Sequence, residues 1–290
     1  MSVTITDVPQ TKTQIQQILE SAGAEPQHRL GQNFMIDQNL VKCVADAGEI
    51  RPLDRVIEIG PGTGTLTSEL LSRGAAVLAV EIDRKLAATL RETFAAHDTF
   101  RLIEGDALDG KHRLNADLLS FLQTAKQESL ATKLVANLPY NIASPLVIEL
   151  LIAGVSMLAF TVQKEVGDRL RAGPGHDAYG PLSVMAQLLG KVEVLRTLPP
   201  QAFWPRPTID SALVRITRDD RLHGQAADVG AFVHAVFSYR RKTLRKALSE
   251  AGYEADELLT RTGFDGKSRP EEFSPGDFLT MFQSCRKSTA

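Results

Sequence analysis

Between residues 55 and 163, short apolar runs and longer amphipathic stretches take turns along the chain. "RVIEI" (55–59), "AVLAVEI" (76–82), "FRLIEG" (100–105), "KLVAN" (133–137) and "MLAFTVQ" (157–163) are the apolar runs. Each is too short for an ordinary helix, so each reads as a buried strand. "TLTSELLSRG", "RKLAATLRETFAA", a segment near 116–126 and "SPLVIELLIAG" lie between them and carry helical periodicity. Parallel strands need such crossovers, so the alternation specifies an α/β fold with a doubly wound sheet. It also fixes where chemistry belongs, because ligands of such sheets bind beyond the carboxyl ends of the strands.

The residues at those ends form a pattern. After the first strand, "GPGTG" places Gly60, Gly62 and Gly64 ahead of a helix, with Thr65 next. Glycines allow close backbone approach to a ligand. The dinucleotide fingerprint G-x-G-x-x-G needs its third glycine one place later, so this spacing suits S-adenosylmethionine better than a pyrophosphate. Glu81 ends the second strand, about 20 residues after the glycine loop, where a carboxylate can accept both hydroxyls of a ribose. Asp106 follows the third strand, where an acceptor can take an adenine amine.

The fourth strand ends in "LVANLPYNIASPL" (134–146). Pro139 cannot donate to a sheet ladder, so pairing stops there. Asn137 offers a side-chain carbonyl, Leu138 or Pro139 a backbone carbonyl, and Tyr140 an aromatic face for a base. Two acceptors can bind the hydrogens of an adenine amine and turn its lone pair toward an electrophilic methyl group. Positioning then supplies most of the catalysis, and no strong general base is required.

Outside the sheet the signals are coarser. Residues 1–30 read as a polar arm with a helix at about Thr11–Ala22, and Asp37 can cap a helix running to about Ala47. After about residue 195 comes "TLPPQAFWPRPTIDSALVRITR", proline-rich and then β-like, followed by helical stretches at 228–238, 240–251, 254–261 and 275–284. The expected domains are 1–205, catalytic and cofactor-binding with its N-terminal arm, and 206–290, small and helical. The net charge of −2 does not announce a nucleic-acid partner. The cluster in "YRRKTLRKAL" does: on a helix Arg240, Arg241, Lys242 and Arg245 form a basic patch fit for phosphates, with Lys164, Arg169 and Arg171 as a second. No apolar run reaches 18 residues and the N-terminus lacks a secretory pattern, so no membrane role is expected. Cys43 and Cys285 fit no metal or disulfide spacing; no metal is expected, and the reading is of reduced thiols in the cytoplasm.

The chain resembles the ribosomal RNA small-subunit adenine dimethyltransferases. The resemblance is carried by "LGQNFMID", "VIEIGPGTGTLT", "AVEID", "EGDAL", "VANLPYNIASPLV", "QKEVGDRLRAGPGHDAYGPLSV", "FWPRPTIDSALVRI" and "FSYRRKTLRKAL". It implies a Rossmann-like, S-adenosyl-L-methionine-dependent methyltransferase domain with a small all-helical C-terminal domain. The implied reaction is N6,N6-dimethylation of two adjacent adenosines near the 3′ end of 16S rRNA. The implied substrate is a pre-30S particle, with a role in subunit biogenesis, and the expected enzyme is a monomer. Carried over, the cofactor contacts fall on Asn33, Met35, Gly60, Glu81, Asp106 and Asn137, and the glycine loop adds Gly62 and Gly64. The target-base site falls on Asn137, Leu138, Pro139 and Tyr140, and Phe203 looks like a second ring for sandwiching the base. Met35, Pro181 and Thr208 depart from the family pattern, and a polar insert occupies about 110–130. The competing function is a large-subunit rRNA adenine methyltransferase of the antibiotic-resistance type, which shares the asparagine–proline–aromatic signature.

Overall fold

The computed structural model describes residues 10–286, apart from Lys111, Ser129 and His223. The chain before residue 10, including the start of the polar arm, lies outside the described residues. In chain order the first elements are α1 (Lys12–Ser21), β1 (Phe34–Met35), α2 (Gln38–Ala47), β2 (Arg55–Ile59), α3 (Thr65–Ser72), β3 (Ala76–Glu81) and α4 (Arg84–Thr93). There follow β4 (Phe100–Glu104), α5 (Ala116–Gln127), β5 (Thr132–Asn137), α6 (Ala143–Ala153), β6 (Met157–Gln163), α7 (Lys164–Arg171) and α8 (Pro181–Leu189). The remainder comprises β7 (Gly190–Leu198), β8 (Phe203–Trp204), β9 (Ser211–Arg218), α9 (Ala226–Phe237), α10 (Leu244–Glu250), α11 (Ala255–Thr262) and α12 (Pro275–Arg286). Local chemistry sets several starts: the Asp37, Asp83 and Asn115 side chains accept the first free N–H groups of α2, α4 and α5.

Seven strands form the main sheet in the order β4-β3-β2-β5-β6-β9-β7. β4 to β6 run parallel, and β9 pairs antiparallel with β6 over seven residue pairs, from Met157↔Thr217 to Gln163↔Ser211. The inner strands are mostly apolar because helices cover both faces. Strand order reverses between β2 and β5, which opens a crevice between their carboxyl ends. A separate ribbon pairs β1 with β8, setting Phe34 against Trp204 and Met35 against Phe203.

The five expected strands are present. β7 was not legible: as an edge strand it carries Lys191, Glu193, Arg196 and Thr197, with no strict alternation to mark it. α7 and α8 were also missed. The helix expected over 240–251 starts only at Leu244. Residues 239–242 instead close turns, with Arg240 N–H donating to Phe237 O at 3.0 Å and Lys242 N–H to Tyr239 O at 2.8 Å.

The chain divides into two units. One holds the main sheet and runs to Gly167, then resumes over Glu193–Arg218; the other comprises Asp168–Val192 and the chain from Asp219 on. A single cut after residue 205 misses this division, because β9 lies within the sheet and the segment around α8 belongs with the C-terminal helices. That helical unit is built on aromatic contacts: Phe237 stacks on Phe278 at 5.1 Å, and Tyr253 meets Phe232 edge-on at 5.0 Å. Among the described residues no helix is long and apolar enough to cross a membrane.

Candidate functional site

A cleft opens at the strand-order reversal. Gly60, Gly62, Glu81, Asp106, Asn137 and Pro139 line it from the sheet, and Asn33 and Met35 line it from the segment that carries β1. Of the expected site residues, the structure therefore brings these eight together. Gly64, Leu138, Tyr140 and Phe203 lie off the cleft wall.

The glycine loop is shaped by what presses on it. Gly60 (φ +68°) and Gly62 (φ +60°) occupy the left-handed region. A Cβ on Gly60 would stand 3.1 Å from Cγ of Pro139, and one on Gly62 would stand 2.8 Å from Cε1 of Phe34. Loop, tetrapeptide and N-terminal segment thus interlock where side chains would not fit. Gly64 serves packing: it is the N-cap of α3, and a Cβ there would meet Phe94 at 2.8 Å.

Glu81 is buried, and both its oxygens are engaged. Oε2 accepts the Gly62 N–H at 3.1 Å and Oε1 the Asp83 N–H at 2.9 Å. Burial pushes its carboxyl up to about 7, against the opposing pull of these backbone donors. Behind it, Glu58 is buried on β2 and accepts the Thr67 hydroxyl at 2.7 Å. Burial, with the charge of Glu81 added, pushes Glu58 up to about 8. The sequence reading passed over Glu58; its signal was an acid inside an otherwise apolar strand. Asp106 is exposed on the cleft, with Oδ1 accepting the Leu108 N–H at 3.0 Å.

The tetrapeptide is held from three sides. Asn137 Nδ2 donates to the Asn33 carbonyl at 2.6 Å, and its Oδ1 accepts from the Thr161 hydroxyl. Leu138 is buried, and its N–H donates to the Thr161 carbonyl at 3.2 Å. The Pro139 carbonyl accepts the Ile142 N–H at 3.2 Å, whereas the Leu138 carbonyl meets no donor among the described residues. Tyr140 shares a hydrogen bond of 2.7 Å with Ser211 at the start of β9, and burial raises its phenol above the usual range.

Phe203 is 2 % exposed and packs with Met35, Leu40 and Leu213 in the core, so its ring is not presented to the cleft. Its neighbour Trp204 stacks on Phe34 at 6.3 Å. In the helical unit, Arg240 lies 3.5 Å from Glu271 and Arg245 pairs with Asp256, while Arg241 and Lys242 are exposed beside them. In the second basic patch Arg171 pairs with Asp168 at 2.9 Å. Among the described residues no group of three or more His, Cys, Asp or Glu side chains could hold a metal ion.

Known proteins resemble this chain over most of its length. The family model described as "Ribosomal RNA adenine dimethylase" matches residues 24–287. Proteins named "Ribosomal RNA small subunit methyltransferase A" are similar over most of the chain. That of Moorella thermoacetica is 39% identical over 277 residues, 93% of this chain and 96% of its own. That of Methylococcus capsulatus is 41% identical over 260 residues, 88% of this chain and 96% of its own. Among solved structures, a dimethyladenosine transferase from Plasmodium falciparum superposes with a TM-score of 0.70 at 22% identity, covering 88% of this chain and 98% of that one. The 23S rRNA methyltransferase ErmE superposes with a TM-score of 0.61 at 24% identity, covering 88% and 100%. These two likenesses establish the fold alone, a Rossmann-like α/β sheet.

Proposed function

The chain belongs to the ribosomal RNA adenine dimethylase family, and we propose that it converts two adjacent adenosines near the 3′ end of 16S rRNA to N6,N6-dimethyladenosine. The relatives named for the small subunit, 37% to 41% identical over most of their length, support that target over the large-subunit alternative. The observation that carries the chemistry is Asn137, which stands on the cleft where the strand order reverses, beside the glycine loop and Glu81.

The cofactor is S-adenosyl-L-methionine, and the cleft fits it. Gly60 and Gly62 line the cleft with bare backbone, where Pro139 and Phe34 press too close for a side chain. Glu81 is placed to accept ribose hydroxyls and Asp106 to accept an adenine amine, while Asn33 and Met35 form the wall toward the methionine end. When bound, this group supplies an electrophilic methyl on a sulfonium sulfur.

The residues of the chain do the rest. Asn137 Oδ1 and the free Leu138 carbonyl accept the two hydrogens of the target amine, and so aim the nitrogen lone pair. Held by these residues, the cofactor would supply the methyl for the new bond to N6 and would keep the pair of the broken C–S bond. The resulting ammonium on N6 loses a proton to water, and a second round on the same nitrogen gives the dimethyl product. Tyr140, anchored by Ser211, supplies the aromatic side of the base pocket. Phe203 supports this site from below, holding β8 against β1. The protein acts as a cytoplasmic monomer on a pre-30S particle, and Arg240, Arg241, Lys242 and Arg245 supply phosphate contacts in the helical unit.

Unmethylated small subunits incubated with the protein and cofactor, then digested to nucleosides for mass spectrometry, should yield N6,N6-dimethyladenosine. Large-subunit rRNA treated alike should yield none. Product from the large subunit alone would replace this reading with the alternative.

A further inference from the structure

Asn137 meets a fixed partner at each end of its amide. At one end Nδ2 donates to the Asn33 carbonyl at 2.6 Å. A carbonyl oxygen only accepts, so this bond decides which end of the amide is nitrogen. At the other end Oδ1 receives the Thr161 hydroxyl. Thr161 stands opposite Asn137 in the β5–β6 register and is 0 % exposed. A hydroxyl so buried needs a partner, and among the described residues Asn137 is the one it has.

We infer that Thr161 is a positioning residue for methyl transfer: its hydroxyl holds the Asn137 amide in the plane that leaves one carbonyl lone pair free for the target amine. The inference rests on the proposed role of Asn137 as acceptor for that amine. The terminal torsion of asparagine is broad and soft, so one tether at Nδ2 leaves the carbonyl free to swing. The second tether removes that freedom. An amide oxygen has two lone pairs; Thr161 occupies one and the other remains for substrate. The backbone of Thr161 adds a related constraint, since its carbonyl accepts the Leu138 N–H at 3.2 Å and so anchors the residue whose carbonyl, one peptide further on, is the second acceptor. A side-chain substitution separates the two effects, because it leaves the backbone bond in place.

Thr161→Val keeps the branched shape and deletes the donor; Thr161→Ser keeps the donor and deletes a methyl group. On unmethylated small subunits, Thr161→Val is expected to lower kcat by about 10- to 100-fold. KM for subunits, and cofactor Kd by calorimetry, should stay at wild-type values, and Thr161→Ser should restore most of kcat. Thr161→Ala takes the place of valine if the valine variant does not fold. A second readout uses cofactor-free protein labelled with 15N-asparagine. The side-chain amide pair of Asn137, assigned by its loss in Asn137→Ala, should shift in Thr161→Val and return in Thr161→Ser. Wild-type kcat or an unmoved amide pair in Thr161→Val overturns the inference, as does an equal loss of kcat in the valine and serine variants. If Asn137→Ala is inactive in that same experiment, the role of Asn137 still stands. If Asn137→Ala methylates at the wild-type rate, that role itself falls.

Discussion

Glu58 and Glu81 bury two carboxyl groups on adjacent strands, and the charge of Glu81 adds to the proton affinity of Glu58. Both hold protons well above the ordinary value of 4.5, Glu58 to about 8 and Glu81 to about 7, with burial the main cause. Each binds its proton more tightly folded than unfolded. The stability they contribute is therefore full below about pH 4.5 and is lost as pH rises through about 7 to 8. Urea unfolding of the cofactor-free protein should lose on the order of 1 kcal/mol per pH unit across that window. Glu58→Gln should flatten this slope whatever its effect on absolute stability. Cofactor affinity should run the other way, strengthening as pH rises through about 7, because an ionised Glu81 accepts with both oxygens. An unchanged slope in Glu58→Gln would remove the buried pair as its source.

Gly62→Ala tests the glycine loop. Its φ of +60° and the 2.8 Å approach of Phe34 both oppose a side chain. The backbone cost alone is about 1–2 kcal/mol. The loop would have to move off Phe34 and give up its N–H bond to Glu81, so calorimetry should show cofactor affinity falling about tenfold or more. Unchanged affinity with intact folding would place the cofactor elsewhere.

Much of this site was legible because it lies where local signals end abruptly. The strands over 55–59, 76–81 and 133–137 are apolar runs, and the residues that stop them, Gly60, Glu81 and Asn137, are those on the cleft. What stayed hidden depends on contacts distant in sequence. Thr161 and Ser211 are single hydroxyls inside apolar strands, and only the pairing of β6 with β5 and β9 brings them to Asn137 and Tyr140. Phe203 beside its prolines looked available for stacking, but β8 pairs with β1 and turns the ring into the core. The basic run at 240–246 has good helix formers, yet residues 239–242 form turns, and the Leu244 N–H that opens α10 is taken by the Ser268 carbonyl at 2.6 Å. Composition cannot foresee that partner.

Tyr140 and Ser211 offer a separation of ring from hydroxyl. Tyr140→Phe keeps the aromatic face and breaks the 2.7 Å bond. Stability should fall by about 1 kcal/mol, as for one buried hydrogen bond, with methylation largely retained. Ser211→Ala should reproduce both effects. Tyr140→Ala removes the face itself and should lower kcat/KM for small subunits by about tenfold or more. Equal activity of the phenylalanine and alanine variants would show that the ring does not face the base.

Arg241 and Lys242 differ from their basic neighbours in having no ion-pair partner within 4 Å among the described residues, whereas Arg245 is engaged by Asp256 and Arg240 lies near Glu271. A cation already paired must give up that partner before it can take a phosphate, so its net contribution to RNA binding is smaller. The unpaired two should therefore carry most of the salt-dependent affinity of this patch. Filter binding of pre-30S particles across a salt series should show Arg241→Gln/Lys242→Gln binding more weakly at every salt concentration. The slope of log affinity against log salt should become shallower by about 1 to 2, one lost contact for each cation. Arg245→Gln should change that slope less. If Arg245→Gln flattens the series as much as the double variant does, Asp256 does not hold Arg245 away from the RNA.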